Sequence, residues 1–176
     1  QDSEGKTIVN NDKRSCLNCS EISFTSKEYP IIQDKYKKVF SPQTAYQVTS
    51  ILEGVVQRGT GKKLRDLKLN LAGKTGTTNK NTDTWFIGFT SNLVIGVYVG
   101  MDDPKPLGKY ETGSKVALPI FKDFVKKGVK KSDARPFKVS SGITMMVIDP
   151  LTGQKAKFSS KNTIIEAYKD KNVIDG

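Results

Sequence analysis

With 176 residues, 36% of them hydrophobic, the chain can bury a core in one domain, which excludes a disordered polyelectrolyte. Its formal charge of +11, from 29 Lys and Arg against 18 Asp and Glu, would by itself suit nucleic acid, anionic lipid or an anionic polymer. The densest basic run, KKGVKK at 126–131, has no aromatic residue on which a base could stack, so it reads as a solvated helix end and no nucleic-acid partner is expected.

Residues 1–40 alternate short apolar runs with polar loops (KTIVN, a cysteine loop, EISF, DKYKKVF), a pattern of strand fragments and excursions. At Ser41 the texture changes. Ser41 is an N-cap type and Pro42 suits a first helical turn, while Ala45, Val48, Ile51, Leu52, Val55 and Val56 recur at helical spacing until Gly59. A basic loop, GKKLRDLKLN, leads into LAGKTGTT, then TWFIGF and LVIGVYVGM, whose short linkers predict a three-strand antiparallel meander. The last of these is nearly unbroken and β-branched, as expected of a strand covered on both faces. GSKVALPIFKDFVKKG reads as a second helix whose regular part begins near Pro119, and ITMMVIDPLTGQKA as a hairpin-like unit in the tail. The expected class is α+β, an antiparallel sheet with flanking helices.

The absences narrow the chemistry. There is no histidine, hence no Ser-His-Asp or Cys-His apparatus and no histidine-ligated metal, and no cofactor is expected. Cys16 and Cys19 form a CxxC pair without two further zinc ligands and without a strand leading into a helix; a loop-stapling disulfide is preferred, with two free thiols as the alternative. GTGKK at 59–63 is not a phosphate-binding loop, because it follows a helix and Lys63 takes the hydroxyl position. Asp102 and Asp103, before Pro104, read as a turn.

What remains is KTGTT. On a strand, Lys74 and Gly76 project to one face and Thr75 and Thr77 to the other. Lys74 could set the proton affinity of a nucleophile, the Thr75 and Thr77 hydroxyls could bind a carboxylate, and the Thr77 N–H could donate to an oxyanion, with Gly76 admitting a neighbouring helix. A polar strand end with ordinary turn residues is the plainer reading of three such residues alone.

The surroundings add to it. SPQTAYQVTSILEGVVQRGTGKKLRDLKLNLAGKTGTTNKNTDTWFIGFT resembles the part of a bifunctional class A penicillin-binding protein, type 1A, that carries its third active-site motif: KTG after a VVQRGTG-like helix end and before a DxWFxGF-like strand, here Asp83, Trp85, Phe86, Gly88 and Phe89. The likeness continues through GVYVGMDDPKPLG and the ALPIFKDF helix and covers roughly residues 1–130, taken as the C-terminal portion of a transpeptidase domain, with 131–176 as a tail. It implies part of a penicillin-binding, serine β-lactamase-like fold that cross-links peptidoglycan by serine acyl transfer, with stem peptides and β-lactams as partners at the periplasmic face of the inner membrane. Position by position, it makes Lys74 and Thr77 catalytic and Thr75, Gly76, Thr77 and Thr78 substrate-binding.

The family's motifs run SxxK, SxN, KTG. Ser3-Glu4-Gly5-Lys6 precedes a strand-like TIVN rather than opening a helix, and Ser160-Lys161-Asn162 follows KTG, so neither serves. A chain opening at Gln1 is then expected to be a piece of something longer: inactive alone, missing its nucleophile half and membrane anchor, and prone to self-association through uncovered apolar faces. No apolar run approaches the roughly 20 residues of a membrane span and no charged-then-apolar leader opens the chain, so this piece is expected to be soluble. Two other readings are a fragment of a D,D-carboxypeptidase or β-lactamase-like enzyme, which also uses KTG, and a non-catalytic module that grips peptide carboxylates or an anionic polymer.

Overall fold

A computed structural model describes residues 15–17, 31–33, 38–160 and 162–170. The chain divides into two compact units, Gln1–Ser41 and Pro42–Gly176. In the first, β1 (Ser15–Leu17) pairs antiparallel with β2 (Ile31–Gln33), with Cys16 opposite Ile32. Cys19 lies outside the described residues, as do the expected strands KTIVN and EISF, so the Cys16–Cys19 pairing falls outside them too.

The second unit begins with α1 (Pro42–Gln57). Proline opens it because its missing N–H is one that a helix start leaves unbonded anyway. Beyond a 3-10 segment, Lys62–Leu67, come β3 (Ala72–Thr77), β4 (Thr84–Phe89) and β5 (Val94–Val99), an antiparallel meander in the order β3-β4-β5. The helix α2 (Ala117–Gly128) takes Pro119 into its first turn and ends in Lys126 and Lys127, the solvated helix end read from KKGVKK. This is the mixed, helix-flanked antiparallel architecture expected.

One face of the meander carries the core. Phe86 of β4 and Phe121 of α2 meet edge to face, with ring centroids 4.6 Å apart, among Val56, Leu64, Leu71, Leu118 and Val125. Every one of these is buried, and each such large side chain stabilises the fold by roughly 1.5–3 kcal/mol through its removal from water. The opposite face differs. Trp85, Ile87, Val94 and Tyr98 are 41%, 49%, 70% and 50% exposed. The expectation that β5 is covered on both faces is therefore corrected: β5 is an edge strand whose residues alternate between half-buried and exposed, because among the described residues the helices pack on one side of the sheet.

The tail is also rearranged relative to expectation. β6 (Ile143–Ile148) turns at Asp149, where Gly153 N–H donates to Asp149 O at 2.8 Å, but only Ile148 bridges back, to Lys155. Its full partner is β7 (Ile164–Lys169), reached across a longer loop. Polar side chains fasten this ribbon to α1: Gln47 Nε2 donates to Ala167 O at 2.9 Å, Lys169 Nζ to Thr44 Oγ1 at 2.9 Å, and Arg58 pairs with Glu166. The α1 sequence thus faces two ways, apolar toward the sheet and polar toward the ribbon.

Candidate functional site

The ladder between β3 and β4 fixes what each KTG residue presents. The turn bond from Thr78 N–H to Asp83 O, 3.0 Å, sets the phase of a register in which Gly76 faces Trp85 and Lys74 faces Ile87. Antiparallel pairs alternate, so these even-numbered residues exchange backbone bonds with β4, while Gly73, Thr75 and Thr77 turn their N–H and C=O groups to the outer edge. Among the described residues no strand pairs with that edge. The Thr77 N–H therefore points out from this unpaired edge.

Side chains complete the edge. Lys74 is exposed and its ammonium folds onto the edge, donating to Thr75 O at 2.9 Å and lying 3.4 Å from Thr75 Oγ1. A cation over an open edge carbonyl keeps the strand from pairing indiscriminately. Thr75 Oγ1 lies 3.1 Å from Thr60 Oγ1, in the loop leaving α1. The Thr77 hydroxyl oxygen accepts from Gly113 N–H at 3.0 Å. Gly113 must be glycine for that approach, since a Cβ there would sit 2.5 Å from both Gly76 O and Trp85 O. The neighbour at Gly76 is thus this loop together with the Trp85 Cβ, rather than a helix.

Thr78 is placed in the turn. Its hydroxyl meets Thr82 Oγ1 at 2.8 Å and accepts from Asp83 N–H at 2.9 Å. Asp83 anchors the same turn, with Oδ1 accepting from the Tyr98 hydroxyl at 2.7 Å and Oδ2 from Thr82 Oγ1 at 2.8 Å. The Tyr98 bond first, then those from Thr82 and Thr78, hold its carboxyl below the usual aspartate range, and Asp83 in turn pushes the Tyr98 phenol up. Trp85 packs its ring against Tyr98, with centroids 4.8 Å apart, on the exposed face that Lys74 shares.

Lys74, Thr75 and Thr77 are therefore brought to one edge, while Thr78 belongs to the turn behind it. Cys16 stands in the other compact unit, and Ser3, Lys6 and Lys161 lie outside the described residues. Asp103 pairs with Lys105 on an exposed segment, as a turn would. Among the described residues no group of three or more His, Cys, Asp and Glu is arranged to hold a metal, and no helix is long and apolar enough to cross a membrane. Sequence places the GTGKK loop near the motif as a candidate border of the cleft, but singles out neither Thr60 within it nor Gly113. The Gly-Thr-Gly at a helix end hinted at the first, and nothing local at the second.

The profile of the penicillin binding protein transpeptidase domain matches residues 7–126, which span the KTG strand, the meander and nearly all of α2. The chain belongs to this transpeptidase domain family. Its relatives include penicillin-binding protein 1A of Rickettsia prowazekii (strain Madrid E), 43% identical over 98% of this chain and 22% of that protein, and penicillin-binding protein 1A of Pseudomonas aeruginosa, 39% identical over 78% of this chain and 17% of that one. The crystal structure of penicillin-binding protein 1A from Haemophilus influenzae superposes with a TM-score of 0.64 at 29% identity, over 73% of this chain and 20% of that one. The chain spans about a fifth of the length of the relatives it matches.

Proposed function

We propose that the chain supplies the KTG wall of a peptidoglycan D,D-transpeptidase of the 1A type. The observation that carries this reading is the open edge of β3, which presents the Lys74 ammonium, the Thr75 hydroxyl and the Thr77 N–H together in a chain of the transpeptidase family.

The reaction runs in two steps on a serine carried by a segment that would precede this one. The serine oxygen attacks the carbonyl of the penultimate D-Ala of a stem peptide, loses its proton to a base, and forms an ester as the terminal D-Ala leaves as an amine. An amine of a neighbouring strand then attacks that ester, releasing the serine and forming the cross-link. Thr75 and Thr77 bind the terminal carboxylate, and Lys74 holds positive charge beside it. The Thr77 N–H is one donor to the tetrahedral oxyanion, and the donor stem adds along the β3 edge as an extended strand. β-Lactams acylate the same serine. The parent protein works at the periplasmic face of the inner membrane, to which a segment outside this chain anchors it. The apolar face of Trp85, Ile87, Val94 and Tyr98 is the surface that the preceding segment covers; without it, copies of this chain self-associate there.

The test compares the purified chain with a chimera in which it replaces the matching stretch of the Rickettsia prowazekii protein, both exposed to fluorescent penicillin and read by gel and peptide mass. The chain alone is expected to stay unlabelled, and the chimera to carry the acyl ester on its Rickettsia part and lose it with Lys74→Ala. Label on the isolated chain would overturn the reading.

A further inference from the structure

Thr60 lies outside the KTG stretch, yet its hydroxyl oxygen stands 3.1 Å from that of Thr75. Its position is set by the end of α1. Gly59 N–H and Gly61 N–H both donate to Val55 O, at 3.1 and 2.9 Å, so the Gly-Thr-Gly turn wraps around the last free carbonyls of the helix. Neither glycine has room for a side chain without displacing the helix backbone: a Cβ on Gly59 would lie 2.9 Å from Val55 Cα, and one on Gly61 3.1 Å from Val55 O. The turn thus presents Thr60 to β3 from a backbone held at both neighbours.

The proton inventory gives this contact a direction. A lysine ammonium only donates, so toward Lys74 the Thr75 oxygen is an acceptor. Toward Gly113 the Thr77 oxygen is likewise an acceptor, which leaves the Thr77 proton available for an anion. Thr75 reaches the same state when Thr60 donates to it. We infer that Thr60 is a positioning residue: its hydroxyl donates to Thr75 Oγ1, turning the Thr75 proton outward to a ligand carboxylate, so that the Thr75 and Thr77 hydroxyls, each held from behind, face one anion. Chained hydrogen bonds polarise one another, so the outer bond to the carboxylate is strengthened by the inner one. Thr60 itself touches no substrate in this arrangement. The inference rests on the reading of KTG as a carboxylate grip.

The experiment measures second-order acylation of the same chimera by benzylpenicillin and by its methyl ester, which lacks the carboxylate charge. Thr60→Val is expected to slow the free acid about fivefold, the scale of one lost neutral hydrogen bond behind the Thr75 hydroxyl, and the ester less than about twofold. Thr60→Ser keeps the hydroxyl and is expected to restore the free-acid rate, with the melting temperature of all variants unchanged. Equal slowing of acid and ester by Thr60→Val, or no rescue by serine, would overturn the inference. Thr75→Val is the control that separates the two layers: if it also fails to discriminate acid from ester, the carboxylate reading of KTG itself falls, whereas discrimination by Thr75→Val and none by Thr60→Val rejects Thr60 alone.

Discussion

The two faces of the β3-β4-β5 meander are made by the same residues in alternation, yet they end differently. Along β4 the sequence TWFIGF is apolar on both sides; Phe86 is buried beneath α2, while Trp85 and Ile87 remain about half exposed. Composition therefore does not distinguish the face that holds the fold together from the face that carries Lys74. Packing does: α2 and the end of α1 lie on the Phe86 side. The open face is thus apolar and also bears Lys74, and the helices of this unit leave it uncovered.

Neighbouring substitutions on β4 are the sharpest way to break this comparison. Phe86→Ala should cost about 3–5 kcal/mol, because it removes a fully buried ring and leaves its pocket with Phe121 unfilled. Ile87→Ala, one residue away, should change the stability of the monomer, diluted below any self-association, by less than about 0.5 kcal/mol, as a surface substitution does. Urea unfolding of the two variants measures both. Comparable losses would mean that the two faces share the load.

The strands and helix starts were legible in the sequence, but not which face of the sheet is open. The meander followed from apolar, β-branched runs joined by short linkers, and the strand phase that separates Lys74 from Thr75 and Thr77 followed from residue types and spacing. Pro42 and Pro119 marked the helix starts within a turn, because proline acts locally. What was not legible depends on partners distant in the chain. The full partner of β6 is Ile164–Lys169, not the nearer GQKA, because local turn chemistry fixes where a strand reverses but not what pairs with it afterwards. Thr60 and Gly113 reach the KTG strand from 15 and 36 residues away, and the cover of β5 depends on which side the helices take. The family resemblance supplied the roles expected of the KTG residues, and the ladder phase supplied the direction of the Thr77 N–H.

A second break tests the loop over β3. Gly113→Ala would drive a methyl group to 2.5 Å from two backbone carbonyls that cannot yield as a side chain could. The expected cost is about 1–3 kcal/mol, the scale of overpacking, with the Thr77 hydroxyl losing its N–H donor. Thermal unfolding gives the first, and chemical shifts of Thr77 the second. A neutral Gly113→Ala would show that the loop lifts away without consequence and that Thr77 needs no partner behind it.

The smallest effect concerns the open face, where Asp83 and Tyr98 secure the β3–β4 turn by polar contacts in place of burial. Asp83 has its carboxyl pKa lowered by the bonds from Tyr98, Thr82 and Thr78, so the folded state binds its proton less readily than the unfolded chain does. The stability it lends is complete above the unfolded aspartate value, near about 3.9, and is lost as pH falls through the lower folded value. Tyr98 is shifted upward chiefly by the same bond, so its contribution is present below the unfolded tyrosine value, near about 10, and is lost as pH rises through the higher folded one. Tyr98→Phe should therefore flatten the stability profile at both ends, while Asp83→Asn should abolish the acid limb with the carboxyl that titrates and weaken the alkaline one. Because both groups are open to solvent, the change is small beside that of Phe86→Ala, and urea midpoints taken across acid and alkaline pH would resolve it. If Tyr98→Phe left the acid limb as steep as in the parent chain, the Asp83–Tyr98 bond would not be what holds the turn, and the open face would owe its order to the strand ladder alone.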